Sequence, residues 1–336
     1  MNIILKCLIP GFIVLALTSC FKEDEKAQPH QSGNVTTDTI ALTNNYKYQV
    51  YFDLSSDTKV ATNLRTDWDL AFECSSTGTH ILLNSSCFMK AADCGLIPFA
   101  QAIDTAGLKW NFDRSDGNPD STVLLNWLSI NGNDTLFPGH VYAIDRGMDE
   151  NGNIRGLQQV VFDGLKQGHY TFRWARINGS SITSAIVEKD STSNYMHYSF
   201  KNGGGLAAPE PPKQQWDLLF TQYSTILFTD AGDPQPYLLT GVLINRSGLE
   251  VAVDSAIAFS AINFETAQRM TYSNTLDVIG YDWKKVNSEN GYTYTVRYNV
   301  NYVIKDAEGY FYKLRFTGFY NESGEKGFPV FEYQKL

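Results

Sequence analysis

Apolar residues in this chain come in short runs punctuated by turn residues, which predicts strands rather than helices. Asn126-Trp127-Leu128-Ser129-Ile130 and Asp134-Thr135-Leu136-Phe137 flank Asn131-Gly132-Asn133, a strand, an Asn-Gly turn and a strand. Val141-Tyr142-Ala143-Ile144-Asp145 leads through a turn at Asn151-Gly152 to a return over 158–162. Tyr170-Thr171-Phe172-Arg173-Trp174-Ala175 is a further strand, ending at Asn178-Gly179. Near the C-terminus, Tyr302-Val303-Ile304-Lys305, a turn over 306–309 and the run 310–317 read as an antiparallel hairpin, with 328–333 as a closing strand. The loop with Gly203-Gly204-Gly205 and Pro209, Pro211 and Pro212 lacks the lysine of a phosphate-binding loop, so it reads as surface loop.

One pattern recurs. Trp68-Asp69-Leu70-Ala71-Phe72 returns as Trp216-Asp217-Leu218-Leu219-Phe220. An aromatic strand precedes each copy, 48–52 in one case and 195–200 in the other, so that Phe52 and Phe200 each lie sixteen residues before the tryptophan. An apolar run follows each copy, over 80–83 and 225–228. Agreement of strand, spacing and motif predicts a duplicated strand–loop–strand unit of the form Trp-Asp-Leu-x-Phe, with Trp68, Asp69, Trp216 and Asp217 in structural roles. Chance is the alternative, since Trp-Asp before apolar residues is common in buried strands.

Composition narrows the class. A chain of 336 residues with 43% hydrophobic content has ample material for a core, and its 19 Tyr and 20 Phe favour sheet. The net charge of −9, without any Lys/Arg-rich stripe, argues against a nucleic-acid partner.

The first residues read as an address. Lys6 precedes an apolar run over 7–17 that is too short for a permanent span, and Leu17-Thr18-Ser19-Cys20 resembles a bacterial lipobox. A signal peptide over 1–19 would be removed and Cys20 acylated, anchoring the chain to a membrane. Phe21-Lys22-Glu23-Asp24-Glu25 resembles the Lys-then-acidic export signal of Bacteroidetes surface lipoproteins, which implies display outside the outer membrane. Residues 20–44 then form a flexible tether, 45–185 an N-terminal β module and 186–336 a C-terminal one. Cys74, Cys87 and Cys94 remain, enough for one disulfide and one free thiol, with the pairing open. Their gaps match no zinc spacing.

The C-terminal hairpin from Tyr302-Val303 through Lys313-Leu314-Arg315-Phe316-Thr317, taken with the Trp68–Phe72 element and Ile81-Leu82-Leu83-Asn84, resembles the HmuY family of Bacteroidetes haem-binding lipoproteins. The resemblance implies an all-β fold of antiparallel sheets, an outer-membrane lipoprotein, haem as ligand and a TonB-dependent receptor as partner. The family's haem binders use two axial histidines in and before the loop leading to this hairpin. Here the segment 263–301 holds no histidine; Met270 falls near the first position and is the one candidate haem ligand, while Tyr292, Tyr294 and Tyr298 fit strand alternation better.

Enzyme constellations are absent: no Gly-x-Ser-x-Gly, no His-Glu-x-x-His, no Cys–His pairing. Asp149-Glu150-Asn151-Gly152-Asn153 superficially matches a calcium loop, but Ile154 stands where glycine is needed. His30, His80, His140, His169 and His197 are scattered and without partners in sequence. The expectation is a non-catalytic, surface-exposed, ligand-binding lipoprotein that takes haem or a related small molecule, or alternatively a glycan or another nutrient held by exposed Trp and Tyr.

Overall fold

The computed structural model describes residues 32–132, 134–288 and 292–336. The expected signal peptide and Cys20 lie outside the described residues, as does the first part of the tether.

Antiparallel sheets make up nearly all of the regular structure, as the apolar runs predict. Two sheets form one lobe. A five-stranded sheet orders Thr36–Thr39, Lys326–Lys335, Phe311–Tyr320, Asn301–Lys305 and Glu250–Asp254; a four-stranded sheet orders Pro234–Ile244, Leu218–Phe228, Tyr48–Asp53 and Thr58–Leu64. Their facing side chains share one core in which Phe52, Phe220, Phe316, Phe331 and Trp283 interlock. Two further sheets form a second lobe of the same composition. Its five strands are Thr183–Glu188, His169–Arg176, Leu157–Lys166, Val141–Asp145 and Lys90–Asp93; its four are Gly205–Ala207, Tyr195–Ser199, Leu70–Glu73 and Ile81–Leu83. Phe72, Phe162, Phe172, Trp127 and Tyr170 fill the core between them. Each lobe is thus a sheet-on-sheet sandwich whose strands turn every second residue towards the shared core.

The lobes are nested in sequence, which corrects the expected division at 185/186. Residues 36–64 and 216–336 build the first lobe, and the second is inserted between them. The reason lies in strand pairing. Leu218–Phe228 pairs with Tyr48–Asp53, and Leu70–Glu73 pairs with Tyr195–Ser199, so each Trp-Asp copy joins the aromatic strand that precedes the other copy. The tether also ends sooner than expected: Thr36–Thr39 is an edge strand on Lys326–Lys335, and Ile40 and Leu42 are fully buried.

One turn in the inserted lobe admits only glycine. Gly147 has φ +66°, and a β-carbon there would stand 1.8 Å from the Cys87 carbonyl oxygen. That oxygen also accepts the Met148 N–H at 3.0 Å, so the backbone cannot retreat without losing the bond. Gly147→Ala is expected to cost about 2–3 kcal/mol, read as a lower urea midpoint at unchanged slope.

Candidate functional site

Side-chain alternation along the two four-stranded sheets builds the site. In Tyr48–Asp53, Val50 and Phe52 enter the core of the first lobe, which turns Gln49 and Tyr51 to the opposite face. Leu218 and Phe220 likewise point inward, leaving Leu219, Thr221 and Tyr223 on that same outer face. In the inserted lobe Leu70 and Phe72 are core, Ala71 is not; Met196 and Tyr198 pack inward, Tyr195 and His197 outward. These two outer faces look at each other across a partly open cavity of about 140 Å³. A strap from the inserted lobe, around 113–118, crosses it: the Leu276 N–H donates to the Asp116 carbonyl at 3.0 Å, and the Ser115 hydroxyl reaches Asp277 Oδ2 at 2.5 Å and Thr225 Oγ1 at 2.9 Å.

Both Trp-Asp copies stand at this cavity and make corresponding bonds. The Asp69 N–H donates to the Tyr198 carbonyl and Asp69 Oδ2 accepts from Phe200 N at 2.7 Å. The Asp217 N–H donates to the Phe52 carbonyl and Asp217 Oδ2 accepts from Leu54 N at 2.8 Å. Asn84 donates its side-chain amide to the Arg65 and Trp68 carbonyls; Asn245 does the same to those of Lys213 and Trp216. Trp68 meets His197 edge-on at 4.7 Å, and Trp216 meets Tyr51 edge-on at 4.9 Å. The bonds place Tyr198, not Phe200, opposite Phe52, a two-residue offset from the spacing seen in sequence.

The copies differ in their polar surroundings. The Trp68 indole N–H donates to Gln49 Oε1 at 3.0 Å, tying one lobe to the other, and the Gln49 amide donates to Thr221 Oγ1. The Trp216 N–H points towards the Glu210 carboxylate without closing a hydrogen bond of ordinary geometry. Glu210 accepts from the Asn194 side chain at 2.8 Å, and desolvation raises its pKa to about 7. Asp113 accepts Leu83 N and Val123 N, at 2.7 Å each, yet burial still lifts it to about 6. Burial has the opposite sign on His197, whose pKa falls to about 3; its ring faces the Tyr195 carbonyl, so at neutral pH it is an uncharged imidazole with one nitrogen free to accept.

Trp68 and Trp216, singled out by the repeat, line the cavity, while Asp69 and Asp217 hold the backbone behind it. Met270 is elsewhere, packed beside the short helix Phe264–Gln268 against Ile262, Ala267 and Val303. Tyr292 and Tyr298 are exposed and Tyr294 packs on Phe319, so none of the three converges with Met270. The expected disulfide is corrected: Cys74, Cys87 and Cys94 are free thiols. Cys74 follows the strand Leu70–Glu73, Cys87 sits in a 3-10 turn with its thiol on the Arg65 carbonyl, and Cys94 follows Lys90–Asp93 in the other sheet. The Asp149 loop closes on itself, its carboxylate accepting Asn151 N and Asn153 N at 2.9 Å. Gln49, Glu210 and Asp113 escaped the sequence reading.

The molecule is all-β, with a partly open cavity between two sandwiches. The chain belongs to the HmuY family: the family model described as HmuY protein matches residues 45–333. Among solved structures it is similar to apo PinO from Porphyromonas gingivitis, with 10% identity, 90% of this chain and 97% of that chain covered and a TM-score of 0.29. It is also similar to the Tannerella forsythia apo HmuY analog, with 11% identity, 92% and 99% covered and a TM-score of 0.28. No curated protein matches.

The described residues do not assemble a pair of haem ligands. His80 bonds Glu73, His140 bonds Asp93 and exposed His169 bonds the Gln167 carbonyl, at separate places on the surface of the inserted lobe. His197 is buried against Trp68. His30 lies outside the described residues. Among the described residues no group of three or more His, Cys, Asp or Glu could hold a metal.

Proposed function

We propose that the protein is a surface-displayed lipoprotein that captures a small organic molecule and passes it to a TonB-dependent receptor, without chemistry of its own. The observation that carries this reading is the partly open cavity where the two sandwiches and both Trp-Asp units meet. Concave, largely apolar walls with a few inward polar groups are the usual form of a small-molecule site. Membership of the HmuY family supports binding as the role and brings haem or a related tetrapyrrole as the first ligand to test.

Haem binding here would have to proceed without the family's two imidazoles. Titration of the purified protein with haem is therefore expected to give no six-coordinate Soret band; at most a weak, broad shift at micromolar haem is expected. A sharp low-spin Soret band, retained in Met270→Ala, would mean that undetected ligands converge. Its loss in Met270→Ala would return Met270 to the site. A second reading, binding of a glycan or another nutrient, draws on the two indoles beside the amides of Gln49, Gln222 and Asn194. Glycan-array binding that falls with Trp68→Ala supports it, and a blank array removes it.

A further inference from the structure

The cavity's size and walls narrow the ligand. An apolar cavity of about 150 Å³ accommodates benzene, and this one measures about 140 Å³. A tetrapyrrole is several times larger. The walls are mainly rings and aliphatic chains, among them Tyr51, Trp68, Trp216, Ala71, Leu219 and Leu243. The small side chain of Ala71, in the middle of a strand of larger residues, leaves the space open.

Two polar side chains at the wall bear on the guest. The Trp216 N–H, on a residue 7% exposed, points towards the Glu210 carboxylate without a hydrogen bond of ordinary geometry. His197, 5% exposed, meets Trp68 edge-on and turns one ring nitrogen towards the Tyr195 carbonyl, and a neutral imidazole has a second nitrogen that can accept. Buried polar atoms are ordinarily paired, so the loosely held Trp216 donor and the His197 acceptor at one cavity mark where a guest's polar atom belongs. Of the charged side chains in the lining, Arg114 stands 3.8 Å from Asp116, and Arg246 donates to the Tyr195 hydroxyl. Two buried carboxyl groups, Glu210 and Asp113, stand in the same lining and disfavour an anionic guest.

We propose that the cavity between the lobes is a binding site for an uncharged aromatic molecule of one or two fused rings bearing a single hydroxyl or N–H, of phenol or indole type. The ring lies between the tryptophan-bearing walls, its O–H or N–H donates to the second His197 nitrogen, and a hydroxyl oxygen can also accept from Trp216. The proposal rests on the small-molecule reading above and sharpens it.

The test is calorimetric titration of the purified protein with p-cresol, indole and, as the guest lacking a donor, toluene. Expected is saturable binding of p-cresol and indole, with toluene weaker by about tenfold for want of the hydrogen bond. His197→Leu should remove that preference, and Ala71→Phe, which fills the space, should abolish binding of all three. If Ala71→Phe does not fold, His197→Leu alone decides through the p-cresol to toluene ratio. No heat at about 1 mM probe, or binding undiminished by Ala71→Phe or unchanged in selectivity by His197→Leu, overturns the site. Haem and glycan titrations on the same preparations separate the two readings. Binding of either that survives Ala71→Phe keeps the capture function and rejects this cavity as its seat, and silence from every probe rejects both.

Discussion

Asp69→Ala is expected to destabilise the protein by about 3–5 kcal/mol, whereas Asp217→Asn, at the matching position of the other copy, should cost no more than about 1 kcal/mol. The difference follows from what each carboxylate faces. Asp69 is fully buried and takes Arg146 in a two-pronged pair, Nε to Oδ1 at 2.9 Å and Nη2 to Oδ2 at 3.0 Å, with Arg155 Nη2 at 2.9 Å from Oδ1. The two arginine side chains are only 10% and 7% exposed, so removing the carboxylate strands two guanidinium charges away from water. Their remaining bonds run to the carbonyls of Arg155, Arg146 and Thr66, which orient the charges without neutralising them. Asp217 has no arginine. It accepts Leu54 N, and desolvation, with Asp53 and Asp306 nearby, raises its pKa to about 7, so an amide oxygen can replace it with little loss. Urea unfolding of both variants decides the matter, and equal losses would show that the repeat position rather than the ion network sets the cost. Replacing Asp69, Arg146 and Arg155 together by apolar residues should recover most of the loss, because the penalty comes from orphaned charge.

What could be read from the chain was whatever lies close together in it. The Trp-Asp copies, the strand before each and the C-terminal hairpin 301–320 are local, and all appear as strands. Which strand joins which copy was not legible, because the partners of Leu70–Glu73 and Leu218–Phe228 lie well over a hundred residues away. The division at 185/186 failed for that reason: it assumed that each copy keeps its own neighbour. The cavity was hidden by a second effect. A strand with one wet face alternates, but Tyr48–Asp53 and Leu218–Phe228 are buried on both faces for much of their length and so read as uniform core. Nothing in Tyr-Gln-Val-Tyr-Phe distinguishes Tyr51 at the cavity from Val50 in the lobe. The cysteines misled in the opposite way. Cys74, Cys87 and Cys94 are near in sequence, yet two sheets and a 3-10 turn carry them apart.

The gain in stability on lowering the pH from 6 to 4.5 should steepen in His197→Gln, the second large effect expected of this fold. Burial lowers the His197 pKa from 6.5 to about 3, so across that window the unfolded chain binds a proton that the folded one refuses. Stability contributed by keeping the ring neutral is therefore complete above pH 6.5, declines as the pH falls and is exhausted near 3, a change on the order of several kcal/mol. The carboxylates act in the reverse sense. Glu210 and Asp217, raised to about 7, and Asp113, raised to about 6, hold protons in the folded state that the unfolded chain releases, so their contribution is present below about pH 4 and is lost as the pH rises through 6 to 7. In the wild type the one histidine offsets only one of the three carboxylates between about pH 4.5 and 6, so a net gain of stability on acidification remains. Glutamine keeps a hydrogen-bonding group beside the Tyr195 carbonyl but cannot titrate. Removing the histidine thus leaves all three carboxylates unopposed, so both proteins should grow more stable as the pH is lowered from 6 to 4.5, the variant more steeply by about 1.4 kcal/mol per pH unit. Urea midpoints for both proteins at half-unit pH steps measure this directly. Parallel profiles would show that water reaches the His197 ring through the cavity and that the imidazole titrates in the folded protein as it does in the unfolded one.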